Sequence, residues 1–553
     1  MKQFVSPVFF GVICALFFAS GVLAQGGIVG NFPIPVQPAG NPSTAAKETL
    51  GKILFWDEQL SSDNTMACGT CHFSESGGAD FHAGAPHPGA DNVFGTSDDF
   101  FASPGMTRQD SNSDYFDDPS FGFGRQVTNR TAPTMINAAF FKALFWDLRA
   151  DESFEFINGN VVPGMGTNAG LESQVAGAPN GFPPGTLGGP PISSVEMAHD
   201  MIQWNQITSK INGSVPLKLA TNIPTPLSTA ITNAGNSYAL LFRNAFNPTP
   251  PFLVNPVARE RIAMAIAAYM RTLVSDISPF DLGTMSLDEV QGQMIFQNNG
   301  CTGCHTNSSG IFSDGRLHNI GLPNHSRSVK TPTLRNMGLR KRFMHSGQFA
   351  SIDECLDFYN QEIPGTNPNF PFNPPLSPTD KLKVKAFLEN ALTDPRVAMA
   401  QFPFDRPTLH SEISPFQSNI YGASTSGSGG QNPIMIGHSP ENVGNADFKI
   451  GIGNALGGAQ ALLGFSFAAA NPGTIVIGIP LHIDLTPGIF IGFETVNPLP
   501  GIGAGQGTAT RHLPNFTSLP ALAGTSFFGQ WFVVDPAGPQ GLVGSSGASF
   551  TIF

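Results

Sequence analysis

The sequence predicts a mainly α protein with two helical domains that carry long loops, followed by an additional C-terminal all-β domain of the sandwich type. Three observations lead to this prediction. Helical patterns recur between residues 45 and 400, and two of them run into a short cysteine motif. Gly and Pro are plentiful while only 12% of residues are charged, which suits long ordered loops. After about residue 400, short apolar runs alternate with turn residues, as in β-strands.

Residues 1–24 are typical of a secretory signal peptide. Lys2 supplies a positive start, an apolar stretch follows, and small residues precede a predicted cut after Ala24. The apolar stretch is too short for a membrane anchor. We therefore expect a periplasmic or secreted protein without a membrane span, in which residues 25–44 form an extended leader.

The remaining chain divides into two predicted helical domains, residues 45–285 and 286–400. In each domain a helix with a Ser or Thr cap, within "STAAKETLGKILFW" or "SLDEVQGQMIFQNNG", leads into a cysteine motif. Residues 401–440 have the Ser, Gly and Asn content of a linker, and residues 441–553 form the all-β module. Further helices are predicted at 131–150, 196–212, 256–276, 351–361 and 377–392, and a loop layer at 76–130.

Two copies of the pattern Cys-x-x-Cys-His carry the chemistry. A disulfide across two intervening residues would add little stability and would not account for the histidine. Structural zinc normally needs four ligands, and one motif supplies three. Covalent haem accounts for every position, because two thiols add to the haem vinyl groups and the adjacent imidazole becomes the proximal iron ligand. We therefore predict two covalently bound haem c groups, held by Cys68, Cys71 and His72 and by Cys301, Cys304 and His305.

Several longer motifs occur in one order: "LGKILFWDEQLSSDNTMACGTCH", "RTAPTMINAAFFKALFWDLRA", "LESQ", "SSVEMAHD", the second haem site and "KTPTLRNMGLRKRFMHSGQFASIDECLDFYN". Over residues 45–400 this set resembles the bacterial diheme cytochrome c peroxidases and their MauG-type relatives. The resemblance implies that both helical domains are cytochrome-c-like. It also implies that the first haem reacts with hydrogen peroxide and that the second relays electrons to it.

The resemblance assigns three catalytic residues around the first haem. Glu196 matches the distal glutamate, which moves a proton between the peroxide oxygens, and Gln174 matches a glutamine that could orient peroxide. Trp146 matches a tryptophan between the haems. The alternatives are a helix N-terminal charge for Glu196 and core packing for Trp146. The family's "FWDGR" is "FWDLR" here, with Leu148 in place of Gly.

The sixth ligand of the second haem separates the two branches of the family. The peroxidases place a methionine fourteen residues after a "HDG" histidine, and the MauG type places a tyrosine there. In this chain the histidine is His345, followed by Ser346, and the ligand position is Tyr359, with Met344 as the competing ligand. A tyrosine oxygen favours ferric or higher states. Tyr359 could otherwise be a core residue, and Cys355 is predicted to be small and buried.

Two further groups of residues are candidate ligands. His82 or His87, on the loop after the first motif, could close the first haem, or both could be solvated. Calcium could bind oxygens of Asp110, Asn112, Asp114 and Asp118, whose alternating spacing suits one hard cation, although a solvated acidic turn would give the same pattern. The family's inter-haem calcium site matches Thr131 and the neighbourhood of Arg340 and Arg342, which is cationic and does not favour calcium.

These observations predict an exported diheme c-type peroxidase of the MauG-like branch. The net charge of −12 argues against nucleic acid as a partner. Electrons would come from a small cytochrome, a cupredoxin or an oxidisable protein substrate. The alternatives are an ordinary cytochrome c peroxidase that detoxifies peroxide and a non-catalytic diheme electron-transfer cytochrome.

Overall fold

The computed structural model describes residues 32–154, 161–176, 211–246, 258–413 and 418–553, apart from residues 62, 81, 83, 84, 111, 212, 308, 309 and 323–326. The prediction of a mainly α protein is too strong, since 28% of the described residues are helical and 21% lie in strands. Every described helix is too short or too polar to cross a lipid bilayer. The predicted signal peptide lies outside the described residues.

The first lobe is built on two crossing helices, α1 (Ala45–Phe55) and α6 (Arg259–Met270). The Thr44 side chain caps α1 by accepting a hydrogen bond from the amide of Lys47. The helices meet at Gly51, where a Cβ would lie 1.9 Å from the carbonyl oxygen of Ala265, so no larger residue fits. The lobe also contains α2 (Cys68–Cys71), α3 (Gly170–Val175), α4 (Thr225–Asn233), α5 (Tyr238–Phe246) and two ladders, β1 (Ala85–His87) with β2 (Phe100–Ala102) and β3 (Pro104–Thr107) with β4 (Arg125–Val127).

The second lobe repeats this crossing. A capping box of Ser286 and Glu289 starts α8 (Leu287–Asn298). A Cβ at Gly292 would lie 2.0 Å from the carbonyl oxygen of Lys383, so α8 meets α10 (Pro378–Ala386) as closely as α1 meets α6. The other elements are α7 (Pro279–Leu282), α9 (Ile352–Tyr359) and the ladder of β5 (Leu317–Asn319) with β6 (Ser328–Lys330). The short helix α11 (Pro395–Ala398) follows, and its Val397 packs in the apolar core of the first lobe.

The two lobes also share a repeated motif, "RTAPTMIN" at 130–137 and "VKTPTLRN" at 329–336. Its last residue, Asn137 or Asn336, is left-handed in both copies, with φ of 61° and 59°. A short 3₁₀ turn follows each asparagine. The two copies therefore have the same backbone shape as well as related sequences.

Backbone hydrogen bonds cross between the repeats. The amide of Thr131 donates to the carbonyl of His345 at 3.0 Å, and the amide of Lys330 donates to the carbonyl of Trp146 at 2.8 Å. Thr131 and Lys330 hold equivalent positions in the two repeats, as do Trp146 and His345. The lobes are thus joined by an approximately twofold-related pair of hydrogen bonds.

The C-terminal region is β-rich and forms two antiparallel sheets, with strand orders β13-β10-β15-β16-β7 and β14-β9-β8. The indole N–H of Trp531 donates to the carbonyl of Gly451 at 3.1 Å and connects one sheet to the other across a shared apolar core. The strands β7 and β8 fall within the residues predicted as a linker. The elements are β7 (Asn419–Tyr421), β8 (Ile434–Ile436), β9 (Lys449–Gly457), β10 (Ala461–Ser466), β11 (Ile475–Val476), β12 (Ile479–Pro480), β13 (Phe490–Val496), β14 (Gly503–His512), α12 (Pro514–Thr517), β15 (Ser526–Val534) and β16 (Leu542–Thr551).

This β module packs directly on the first lobe. Lys449 is fully buried, and its ammonium donates to the side chain of Gln109 at 2.7 Å and to the carbonyl of Ser113 at 2.6 Å. Tyr115 of the first lobe also contacts the module, since its hydroxyl accepts a hydrogen bond from the backbone amide of His438 at 3.2 Å. The module therefore covers the loop that leads from β3 to β4.

Candidate active site

The first Cys-x-x-Cys-His motif follows α1 and forms the short helix α2. The His72 imidazole Nδ1 lies 3.4 Å from the carbonyl oxygen of Gly78. An imidazole that donates through Nδ1 presents Nε2 to a metal. Burial lowers the pKa of His72, which favours the neutral form that coordinates iron.

The second motif has the same arrangement. It begins with a 3₁₀ turn, Cys301–Gly303, directly after α8. The His305 Nδ1 lies 2.9 Å from the carbonyl oxygen of Phe312, so Nε2 is again the atom left for a metal. Burial lowers the pKa of His305 as well. The four motif cysteines are free thiols rather than disulfides, which is the state that covalent haem attachment requires.

A cavity opens beside the first motif. It encloses about 790 Å³ when the open solvent at its mouth is included. Its lining includes Cys71, His72, Trp146 and Gln174. Both the free thiols and the orientation of His72 fit a haem at this position. The predicted Glu196 lies outside the described residues.

Trp146 lies in this wall, at the contact between the lobes. Its indole N–H donates to the carbonyl of Thr131 at 2.8 Å. Its ring lies edge-on to the imidazole of His345, with centroids 6.2 Å apart. The same side chain thus lines the cavity of the first lobe and contacts the second lobe.

Gln174 is held in the cavity wall by α3. The neighbouring Glu172 is fully buried, and both of its carboxylate oxygens accept hydrogen bonds from Arg271, at 2.9 and 2.8 Å. The side-chain amide of Asn41 donates to the same carboxylate at 2.7 Å. This buried ion pair fixes α3, and with it the position of the Gln174 side chain.

Three cations in the same wall were not anticipated from the sequence: Arg130, Arg149 and Lys330. Asp147 accepts hydrogen bonds from Arg130 at 2.9 Å and from Arg149 at 3.0 Å. Burial raises the pKa of Asp147, but the charges and hydrogen bonds of Arg149 and Arg130 outweigh burial, so the net shift is downward. The repeated motif was the available signal, because it places Arg130 and Lys330 just before its proline.

Tyr359 lies at the end of α9 and packs with Met344 against the apolar core of the second lobe. Burial raises the pKa of its hydroxyl, and the thiols of Cys355, Cys301 and Cys304 add to this shift. The hydroxyl of Tyr359 has no hydrogen-bond partner among the described residues. A half-buried phenol usually has one, so this hydroxyl is suited to bind a group at the second motif. Cys355 is buried, as predicted.

The two loop histidines do not line the cavity beside His72, as far as the described residues show. The Nδ1 of His82 lies 2.5 Å from a carboxylate oxygen of Asp80. His87 packs against the rings of Phe100 and Phe121, with centroids 5.6 and 5.5 Å away. In this conformation the sequence-based suggestion that one of them closes the first haem has no support.

The predicted calcium site also has no support. The Asp110 carboxylate accepts hydrogen bonds from the amides of Asn112 and Asp114, and Asp118 accepts one from the side chain of Gln126 at 2.8 Å. Asp114 pairs instead with His512 at 2.9 Å. Among the described residues, no group of three or more His, Cys, Asp or Glu side chains could hold a metal ion. The carboxylates of Asp110, Asp114 and Asp118 are each used by a separate turn or contact.

The family model for di-haem cytochrome c peroxidases matches residues 45–286, which contain the first motif and most of this cavity. Over these residues the chain is similar to the di-haem cytochrome c peroxidases. The chain is a peroxidase-type oxidoreductase, and the matching family implies haem c cofactors.

The proteins to which this chain is similar include both named types. The methylamine utilization protein MauG of Methylorubrum extorquens is 27% identical over 394 residues, which cover 66% of this chain and 84% of MauG. The cytochrome-c peroxidase IdrP1 of Denitromonas iodatirespirans is 26% identical over 434 residues, covering 69% of this chain and 87% of IdrP1. A crystal structure of a MauG-like protein associated with microbial copper homeostasis has a TM-score of 0.43 at 19% identity and covers 68% of this chain and 96% of that one.

Proposed function

We propose that this chain is an exported di-haem c-type peroxidase that reduces hydrogen peroxide at the first motif with electrons relayed through the second. One observation carries the proposal: the cavity beside His72 is bounded by Trp146, whose ring also contacts His345 of the second lobe. The proposed haem site and a side chain that reaches the second lobe are thus adjacent.

Bound haem at the first motif supplies iron that binds peroxide and takes up electrons. The residues of the chain do the rest. Cys68 and Cys71 hold the group covalently, and His72 presents Nε2 to its iron. Gln174 has both a donor and an acceptor, so it can orient peroxide. Glu196 is proposed to carry a proton from one peroxide oxygen to the other.

Trp146 is proposed as the stepping stone for electrons. An indole is polarisable and oxidisable, and its N–H is already committed to the carbonyl of Thr131 at 2.8 Å. That bond fixes the ring plane between the lobes. Cys301, Cys304 and His305 hold the second haem, which receives electrons from a small cytochrome, a cupredoxin or an oxidisable protein side chain.

We place the enzyme in the MauG-like branch, with Tyr359 as the second-haem axial ligand. Its hydroxyl lacks a hydrogen-bond partner among the described residues, and burial raises its pKa. Coordination to a cation would lower that pKa again and would satisfy the oxygen. The second candidate is an ordinary cytochrome c peroxidase with Met344 as ligand, which packs against the same core.

Optical and EPR spectra of the purified holoprotein, before and after peroxide, test both proposals. We expect a high-spin ferric signal from the first haem that disappears on peroxide addition; two low-spin haems that ignore peroxide would contradict the peroxidase assignment. Tyr359→Phe should change the second-haem spectrum and Met344→Leu should not. The opposite result would assign the ordinary peroxidase ligand set. Tyr421→Phe, which removes a phenol that donates to the His482 carbonyl at 2.6 Å in the β module, is the matched control.

A further inference from the structure

The cavity beside His72 is strongly cationic. Arg130, Arg149 and Lys330 line it, and no Asp or Glu occurs among its described lining residues. This is unusual in a chain with 28 basic and 40 acidic residues. A cavity with such a lining attracts an anion.

Among the described residues, one carboxylate pairs with these cations. Asp147 contacts both Arg130 and Arg149, so one carboxylate serves two guanidiniums. A ligand with two carboxylates has the charge that suits such a wall.

Lys330 has no counter-charge among the described residues. The residue is 6% exposed. Within the same part of the chain its ammonium has no hydrogen-bond or ion-pair partner, and it contacts the ring of Phe141 with Nζ 4.2 Å from the centroid. Burial lowers its pKa to about 8, with no neighbouring charge to oppose the shift. A buried ammonium is costly unless an anion pairs with it.

Lys330 comes from the second lobe although the cavity belongs to the first. It ends strand β6, and its amide donates to the carbonyl of Trp146 at 2.8 Å. That backbone bond holds the side chain in the wall of the first cavity. The equivalent residue of the first repeat, Thr131, is uncharged. Of the two crossing hydrogen bonds, the one made by Lys330 therefore brings a cation into the other lobe.

We propose that Lys330, together with Arg130 and Arg149, binds the two carboxylates of the haem at the first motif, so that the second lobe supplies counter-charge to the first haem. The inference rests on the proposed function, because it requires haem at this site. A free dicarboxylate in the cavity would have the same chemistry, and the experiment separates the two sources.

The expected consequence is a change in reduction potential. A nearby cation stabilises the reduced haem, which carries one more negative charge than the oxidised haem. Removing the charge of Lys330 should therefore lower the potential of the first haem, while Lys330→Arg should largely preserve it. The potential of the second haem should change less.

The test uses purified holoprotein with Lys330→Met, Lys330→Gln and Lys330→Arg. Intact mass and haem content establish whether two haems are present, a redox titration gives both potentials, and resonance Raman spectra report the haem propionate bending bands. Lys142→Gln is the matched control, since it removes one positive charge from a side chain that is 82% exposed and pairs with Glu152 at 3.0 Å. We expect a lower first-haem potential and shifted propionate bands with Met or Gln at 330, recovery with Arg, and no change in the control.

Unchanged potentials and propionate bands in both neutral variants that retain two haems would overturn the inference. A wild-type potential that follows added succinate and reverts on dialysis would assign the site to a free dicarboxylate, which also overturns it. If the neutral variants at position 330 do not fold, Arg130→Gln and Arg149→Gln replace them: a lower first-haem potential with shifted propionate bands supports the inference, and unchanged values in both overturn it. A wild-type chain whose mass contains no haem would instead contradict the proposed function itself.

Discussion

The indole of Trp146 lies edge-on to the imidazole of His345, with ring centroids 6.2 Å apart and planes inclined at 60°. The two residues hold equivalent positions in the two lobes, so the contact pairs the same position of each lobe. The carbonyl groups of both residues accept the crossing backbone hydrogen bonds. Changes at Trp146 are therefore expected to affect communication between the lobes more than either lobe alone.

We predict that Trp146→Phe slows oxidation of the second haem after peroxide addition, because phenylalanine is much harder to oxidise than an indole. Loss of the hydrogen bond to the Thr131 carbonyl should also lower the free energy of unfolding by about 1 kcal/mol. Stopped-flow spectroscopy measures the first effect and urea unfolding the second. Trp531→Phe is the control, since it removes a similar hydrogen bond to Gly451 in the β module. Equal electron-transfer rates in the two variants would contradict a relay role.

Gln174→Leu should reduce the second-order rate constant for peroxide by tenfold or more, because the side chain loses its donor and acceptor while keeping a comparable volume. Binding of a cytochrome donor should be unaffected. Peroxide-dependent absorbance changes at several peroxide concentrations give the rate constant. Gln401→Leu makes the same chemical change on the surface and serves as control. A Gln174→Leu rate within twofold of wild type would remove this residue from the reaction.

Leu148, two residues after Trp146, has a left-handed backbone with φ of 61°. The equivalent residue of the second lobe is Gly347, with φ of 66°. Leu148→Gly should be neutral or should raise the free energy of unfolding by up to about 1 kcal/mol, because a left-handed leucine is strained. Gly347→Ala should lower it by at least about 2 kcal/mol, since its Cβ would lie 1.8 Å from the Phe101 carbonyl oxygen. Chemical denaturation of both variants checks the pair. Similar effects at the two positions would contradict this asymmetry.

The free energy of unfolding should depend on pH through His438, which lies in the docked β module. Burial lowers the pKa of His438 to about 4, and the charge of Arg125 contributes in the same direction. The folded protein therefore binds fewer protons than the unfolded chain between pH 6.5 and about 4. Its free energy of unfolding should fall by roughly 3 kcal/mol as the pH drops through that range. Unfolding of His438→Asn at pH 7 and pH 5 should lack this component, and a slope equal to that of wild type would rule out His438 as its source.

The haem motifs were predictable because the residues that attach each haem are neighbours in the sequence. Gln174 and Trp146 were predicted from the resemblance, and the structure brings both to the cavity beside His72. The cationic wall was not predictable, because the burial of Lys330 depends on a strand of one lobe reaching into the other. The strands β7 and β8 were also missed, since their Gly- and Ser-rich surroundings are typical of linkers. In addition, β16, the partner of β7, lies far along the chain.

The crossed hydrogen bonds from Thr131 to His345 and from Lys330 to Trp146 have a mechanical consequence. A twist of one lobe against the other would lengthen both bonds together, whereas neither bond depends on the connecting loops. The seam between the lobes therefore resists torsion while the loops remain free to vary. Insertions elsewhere in the chain can accumulate without altering the relative orientation of the two haem-bearing halves.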